Sequence, residues 1–154
     1  MSYIRNVELS DAEVLVEIYR PYVENTTISF ECETPSVDEF RSRIENISKK
    51  YPYIVMLEDD EIVGYAYAGR FKGRKAYDWC VETTIYVRED KKGGGYGKKL
   101  YLELEKRLKK QNILNMYACI AYTDNVDEHL TNNSMQFHEH MGFRLIGTFK
   151  KCGY

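Results

Sequence analysis

The run Ile85-Tyr86-Val87 is apolar and β-rich, and it leads through Arg88-Glu89-Asp90-Lys91 into Lys92-Gly93-Gly94-Gly95-Tyr96-Gly97-Lys98, ahead of a helical pattern. Glycines let backbone amides crowd an anion with no Cβ in the way, and the amides at a helix start are unsatisfied donors at the positive end of the helix dipole. The chemistry on offer is anion binding, and a diphosphate fits it. A plain tight connection is the other reading of the same residues. Two phosphate-binding patterns are excluded. G-x-x-x-x-G-K-[ST] fails because Lys99 follows Gly97-Lys98, and G-x-G-x-x-G fails because Leu100 stands where a third glycine would fall after Gly95 and Gly97.

Upstream, Trp79-Cys80-Val81-Glu82-Thr83-Thr84-Ile85 places a single carboxylate among apolar and β-branched neighbours. Such surroundings raise a carboxyl pKa and make the carboxylate a better base. A strand-end Glu82 facing solvent is the alternative. His138 and His140 lie two apart on a short helical segment and so point to different sides, and His129 sits in a polar loop, so neither of these two is a partner for His138. Cys32, Cys80, Cys119 and Cys152 are tens of residues apart without C-x-x-C or Cys/His ligand spacing, which suggests reduced, mostly buried thiols and neither a metal site nor a redox dithiol.

These residues need a scaffold. Tyr3 to Glu8 reads as a first strand, and Ser10-Asp11-Ala12-Glu13 has capping-box spacing for a helix carrying Val14, Leu15, Ile18 and Tyr22 on one face, ended or kinked by Pro21 near Arg20. Ser36-Val37-Asp38-Glu39 repeats that spacing for a second helix with Phe40, Ile44 and Ile47, stopping before Pro52. Tyr53 to Leu57 and Ile62 to Gly69 flank an acidic turn as a hairpin, and Ala76 to Val87 adds a third strand to an antiparallel meander. Leu100, Leu104 and Leu108 mark a core-packed helix ending near Asn112. Asn115 to Tyr122 is a further strand, Ser134 to Met141 a helix closed by Gly142, and Phe143 to Phe149 a last strand. The order β-α-α-β-β-β-α-β-α-β predicts an α+β (α/β) architecture, one mixed, largely antiparallel sheet flanked by helices, as a single domain over 1–154.

Composition narrows the partners. Forty-four per cent hydrophobic and 30% charged residues are ordinary globular proportions, and 154 residues suffice for one core without cross-links. A formal charge of −2 offers no attraction to nucleic acid or to an anionic membrane. The first ten residues lack the basic and apolar blocks of a secretory leader and no stretch is long enough to span a membrane, so a cytoplasmic protein is expected. Fourteen tyrosines suit either pocket walls or half-exposed strand faces, the latter being the commoner use.

Lys92-x-x-Gly95-x-Gly97 between a strand and a helix resembles the Q/R-x-x-G-x-G/A acetyl-coenzyme A motif of the GNAT acyltransferases. Lys72-Gly73-Arg74-Lys75-Ala76-Tyr77-Asp78-Trp79, Glu82-Thr83-Thr84-Ile85-Tyr86-Val87 and His138-Glu139-His140-Met141-Gly142-Phe143 resemble the phosphinothricin and methionine-sulfone acetyltransferase branch, over nearly the whole chain. The resemblance implies a GNAT fold and acetyl-CoA as cosubstrate with no metal. The acceptor it implies is the primary amine of a small amino-acid-like molecule; a polyamine, an aminoglycoside, a protein N-terminus or a non-catalytic acyl-CoA sensor are the other readings. It also implies that the peptide groups of Ile85, Tyr86 and Val87 hold the pantetheine arm and that Gly93, Gly94, Gly95, Tyr96, Gly97 and Lys98 hold the diphosphate. Glu82 is then the base that takes the ammonium proton, and His138, four residues before Gly142, stands where many GNAT enzymes place a tyrosine that protonates the leaving thiolate. Lys72, Arg74 and Tyr77 would receive the acidic end of the acceptor, with Phe30 walling the same pocket.

Three departures accompany the resemblance. Lys92 keeps a donor but loses the fork geometry of Arg. The usual pantetheine-binding Asn is replaced by Thr131, with Asn132 and Asn133 beside it as substitutes. The chain stops at Tyr154 just as Lys150-Lys151-Cys152-Gly153 should turn into a final strand, so the last strand is expected to be missing, leaving an unpaired edge that invites association such as a homodimer.

Overall fold

The computed structural model describes residues 1–153, and Tyr154 lies outside the described residues. The chain forms two compact units, one of Met1–Tyr19 with Pro35–Cys119, the other of Arg20–Thr34 with the chain from Ile120 onward.

The first unit is built on a five-stranded sheet ordered β1 (Ser2–Asn6), β2 (Tyr53–Glu58), β3 (Glu61–Arg70), β4 (Cys80–Val87) and β5 (Asn115–Ala118). Neighbours from β1 to β4 are antiparallel, and β5 runs parallel to β4. The mixed, largely antiparallel sheet and its meander are therefore present as read from the pattern. The β2–β3 turn is made by Asp59 and Asp60, both left-handed (φ 50° and 66°), a geometry whose twist matches the strands it joins.

Period-two alternation gives the sheet two apolar faces. On one, Tyr65 and Tyr86 meet Tyr19 of α1 (Ala12–Glu24) and Phe40 of α2 (Val37–Ser48), with Tyr19–Tyr86 ring centroids 5.0 Å apart and Phe40–Tyr65 6.2 Å apart. On the other lies α3 (Tyr96–Lys110), with Leu100, Leu104 and Leu108 fully buried as their spacing predicts. Gly64 of β3 makes that approach close. A Cβ there would sit 3.1 Å from the Tyr86 carbonyl oxygen and 3.3 Å from Leu100 Cδ1. Several tyrosines thus enter the core instead of half-exposed faces, and burial pushes the Tyr53 and Tyr65 phenols well up and that of Tyr101 up to about 12.

Element ends differ from expectation for identifiable reasons. Leu9–Asp11 form a short 3-10 turn in place of the Ser10–Glu13 box, because the Asp11 carboxylate accepts from the Glu8 amide at 2.8 Å and from Arg5 at 2.7 and 2.9 Å, and a charged acceptor outcompetes a hydroxyl. α1 runs through Pro21 to Glu24. Proline forfeits one rung, but its own carbonyl accepts from the Asn25 amide at 2.9 Å and the ladder resumes. Val14 on this helix is 42% exposed, outside the buried stripe of Leu15 and Ile18. Ser36 caps α2 through the Glu39 amide at 3.1 Å, while the Glu39 carboxylate turns instead to Arg43 at 3.0 Å.

β4 starts at Cys80, later than Ala76, because the Tyr77 and Asp78 amides bond back to the Arg74 and Lys75 carbonyls and so cannot join a ladder. α3 closes on Asn112 in the left-handed region (φ 59°), with the Asn112 and Ile113 amides returning to the Lys109 and Leu108 carbonyls. β5 ends at Ala118, short of Tyr122. Phe143–Phe149 forms no strand, and Leu145, Ile146 and Phe149 are exposed. Residue types that favour strands make one only where a neighbour supplies the ladder. The cysteines also depart from expectation: Cys32, Cys119 and Cys152 are exposed and Cys80 is half-buried, all four being free. They fall at strand edges and in loops, away from the core stripes. No helix among the described residues is long and apolar enough to cross a membrane.

Candidate active site

The glycine-rich turn begins where β4 ends. The Arg88 amide donates to the Val63 carbonyl at 2.8 Å, and its guanidinium is taken by Asp90 (2.7 and 3.1 Å) and Glu61 (3.4 Å), which anchors the turn to β3 and commits that cation to the protein. After a short 3-10 turn at Glu89–Lys91, Gly93 and Gly95 take φ of +85° and +79°, and a Cβ at either would meet nothing within 4 Å. The requirement for glycine is therefore conformational at both positions, and the space above them is open. Tyr96 folds its ring back over Gly94. Gly95 is the residue that caps α3, and it brings no side chain to accept from the first-turn amides, so the donors of Tyr96, Gly97 and Lys98 lie at a helix start without a side-chain cap. Lys98 is exposed in this turn, while Lys99 reaches Ser2 Oγ at 3.1 Å. This is what an anion-binding helix start needs.

The second feature is where a ladder stops. β4 pairs with β3 as far as Gly64↔Val87, but its pairing with β5 ends at Thr83↔Ala118. Ile85, Tyr86 and Val87 thus lie in the part of β4 that β5 does not accompany. Glu82 sits one residue before the last β5 rung, half-buried, opposite Gly69 on one side and Tyr117 on the other. The next residue of β4, Thr83, faces the other side of the sheet, and its hydroxyl lies 3.5 Å from the Tyr101 hydroxyl and 3.4 Å from the Tyr117 carbonyl.

Glu82 has a neighbour that sequence reasoning missed. The Cys119 thiol is pushed up by burial and next by the Glu82 carboxylate beside it, with Lys72 opposing. Period two after Tyr117 places Cys119 on the Glu82 face, but the parallel register that brings them together is invisible without the fold. Phe71 was also missed. Its ring lies 4.7 Å from Tyr117 and 6.0 Å from Tyr77, and Lys72 Nζ lies 5.3 Å from the Phe71 ring centre. Lys72, Tyr77 and Glu82 are therefore tied into one neighbourhood through Cys119, Phe71 and Tyr117. Arg74 stands at the start of the 3-10 turn that presents Tyr77, with its side chain exposed.

Phe30, Asn133 and His138 belong to the second unit. Phe30 is 65% exposed with its ring against Gly153. Asn132 spends its amide on Thr123, accepting from the backbone amide at 3.3 Å and donating to the carbonyl at 3.0 Å, while Asn133 opens α4 (Asn133–His140) with an exposed side chain. That leaves Asn133, of the two, as the candidate for a ligand.

His138 is buried near the end of α4. Its Nδ1 donates to the Ser134 carbonyl at 2.6 Å, which places the proton on that nitrogen, and burial lowers its pKa below 6.5 despite that bond. The helix end holds the ring. Gly142 is left-handed (φ 98°), the Gly142 and Phe143 amides return to the Glu139 and His138 carbonyls, and the Phe143 ring packs edge-on to the imidazole at 5.2 Å. Burial therefore favours the neutral imidazole at His138, with its proton on the Nδ1 that faces Ser134.

The family described as acetyltransferase (GNAT) domain matches residues 4–154. The chain belongs to the GNAT acetyltransferase family. Phosphinothricin N-acetyltransferase of Streptomyces viridochromogenes is 31% identical to it over 151 residues, covering 98% of this chain and 79% of that one. An L-methionine sulfoximine/L-methionine sulfone acetyltransferase of Pseudomonas aeruginosa is 28% identical, covering 97% and 84%. The crystal structure of a GNAT superfamily phosphinothricin acetyltransferase from Sinorhizobium meliloti in complex with AcCoA superposes with a TM-score of 0.89 at 33% identity, covering 99% of this chain and 80% of that one.

This GNAT domain is an acetyl-CoA-dependent N-acetyltransferase. Its residues fit that cosubstrate on two observations, the uncapped helix start with an open glycine cradle and the early end of the β4–β5 ladder. Gly95→Val forces a β-branched residue to φ +79° and should raise the acetyl-CoA dissociation constant by about tenfold or more in calorimetry, whereas Gly73→Val, at a position with open space and ordinary φ, should leave it unchanged. Because the folded pKa of His138 lies below the unfolded one, its share of stability is present above pH 6.5 and is lost as pH falls through the folded value. Thermal melts at about pH 7.5 and about pH 5.5 should show a smaller acid-side loss in His138→Asn than in the parent.

Proposed function

We propose that this GNAT domain transfers acetyl from acetyl-CoA to the primary amine of a small amino-acid-like acceptor of the phosphinothricin, methionine sulfone or methionine sulfoximine type. The observation that carries the reading is the placement of Glu82, a half-buried carboxylate one residue before the β4–β5 pairing ends, among Lys72, Phe71 and Tyr117. Relatives named for those acceptors, at 28% to 33% identity over nearly the full chain, support it.

Bound acetyl-CoA supplies an activated acetyl group with a thiol as its leaving group. The first-turn amides of α3 and the glycines before it would hold its diphosphate, with Lys98 at the same turn, and the backbone of Ile85 to Val87 would align the arm. Lys92 adds a donor to the turn. An aliphatic amine is protonated near neutral pH, so Glu82 accepts a proton from the ammonium, directly or through water, to make the nitrogen nucleophilic. Arg74, with Lys72 and Tyr77, receives the acceptor's acidic end, for which an exposed guanidinium is well shaped.

Glu82→Gln should lower kcat with the preferred acceptor by a factor on the order of 10² to 10⁴ while leaving acetyl-CoA affinity within about twofold. A thiol-release screen with phosphinothricin, methionine sulfone, other amino acids and polyamines reads both class and acceptor. Preference for cationic amines would overturn the acidic-end assignment of Arg74, and full activity in Glu82→Gln would remove Glu82 from the mechanism.

A further inference from the structure

Along β3 the face that carries Glu82 reads Tyr67, Gly69 and, just past the strand, Phe71. Residues directly opposite on neighbouring strands share a face, so Gly69, Glu82 and Tyr117 form one row across β3, β4 and β5. Either side of Gly69 is occupied by a ring with a partner of its own. Tyr67 stacks on Tyr53 at 4.6 Å, leaning towards β2, and Phe71 packs on Tyr117 at 4.7 Å. Between them, a Cβ on Gly69 would meet nothing within 4 Å.

This glycine is not demanded by the backbone. Its φ is ordinary for a strand, no neighbour crowds it, and glycine in a strand interior forfeits side-chain packing and conformational entropy. Gly64 on the same strand is the contrast, with a carbonyl and two side chains within 3.3 Å of the position a Cβ would take. One glycine is explained by packing, and the other leaves a gap between aromatic rings directly opposite a carboxylate.

We infer that the gap over Gly69 receives the side-chain stem of the acceptor, and that Gly69 sets which acceptors this enzyme takes. The inference rests on the amino-acid acceptor reading and deepens it. The walls are aromatic, so the portion that fits is an uncharged methylene stem, with the acceptor's amine facing Glu82 across the row. Acceptors with a stem longer than a methyl group gain contact there, and alanine does not reach it.

The test is Gly69→Val, a substitution that strand propensity and open space both favour for folding. Acetylation of methionine sulfone, phosphinothricin and alanine is compared in parent and variant, together with acetyl-CoA affinity by calorimetry and the melting temperature. The expected result is a loss of about tenfold or more in kcat/KM for the two long-stemmed acceptors, an alanine rate within about twofold of the parent, and unchanged acetyl-CoA affinity. Gly69→Ala should give an intermediate loss. A parent that turns over the long-stemmed acceptors with an unchanged ratio to alanine in Gly69→Val overturns the gap while leaving the acceptor reading intact. A parent inactive on all amino acids overturns both. Weakened acetyl-CoA binding in Gly69→Val would assign the gap to the cosubstrate and overturn the inference as well.

Discussion

A helix that starts without a capping side chain leaves its first-turn amide donors with no side-chain acceptor, and α3 starts in that way. Gly95 reaches the left-handed region that a side chain would resist, and having no side chain of its own it leaves the first-turn amides without a side-chain cap, the state that suits the proposed hold on a diphosphate. The rest of the first unit holds this helix start in place. Three leucines bury α3 against the sheet, Gly64 lets it sit close to β3 and β4, and Arg88 fastens the turn through Asp90 and Glu61.

The second constraint is a ladder that ends early. Strands gain by pairing along their length, yet β5 ends at Ala118, opposite Thr83 and one residue past Glu82. The carboxylate proposed as the base, the backbone proposed to align the pantetheine arm and the glycine turn therefore follow one another along a single continuous segment. Distances between their backbones are set by strand and turn geometry, so the amides of the turn and the peptide groups of Ile85 to Val87 do not depend on side-chain rotamers.

Much of this was legible in the residues. Leu100, Leu104 and Leu108 announced α3, the acidic turn announced the hairpin, and the glycines after Val87 announced the helix start, because each rests on local period or local turn chemistry. What failed depended on partners distant in sequence. Phe143–Phe149 has strand-like residues and forms no strand, Asp11 took the capping role from Ser10 because Arg5 stands beside it, and Cys119 and Phe71 joined the site through a register no local pattern encodes. His138 was found by its place before Gly142, but its neutral state follows from burial and from the Ser134 carbonyl, neither of which the sequence displays.

The most direct measurement of the central claim is backbone amide NMR of the labelled protein titrated with coenzyme A, which lacks the acetyl group and isolates binding from turnover. The account predicts that the amides of Tyr96, Gly97 and Lys98 move furthest and become protected from solvent exchange. Saturable binding that leaves those three amides unchanged and shifts a different surface would contradict it.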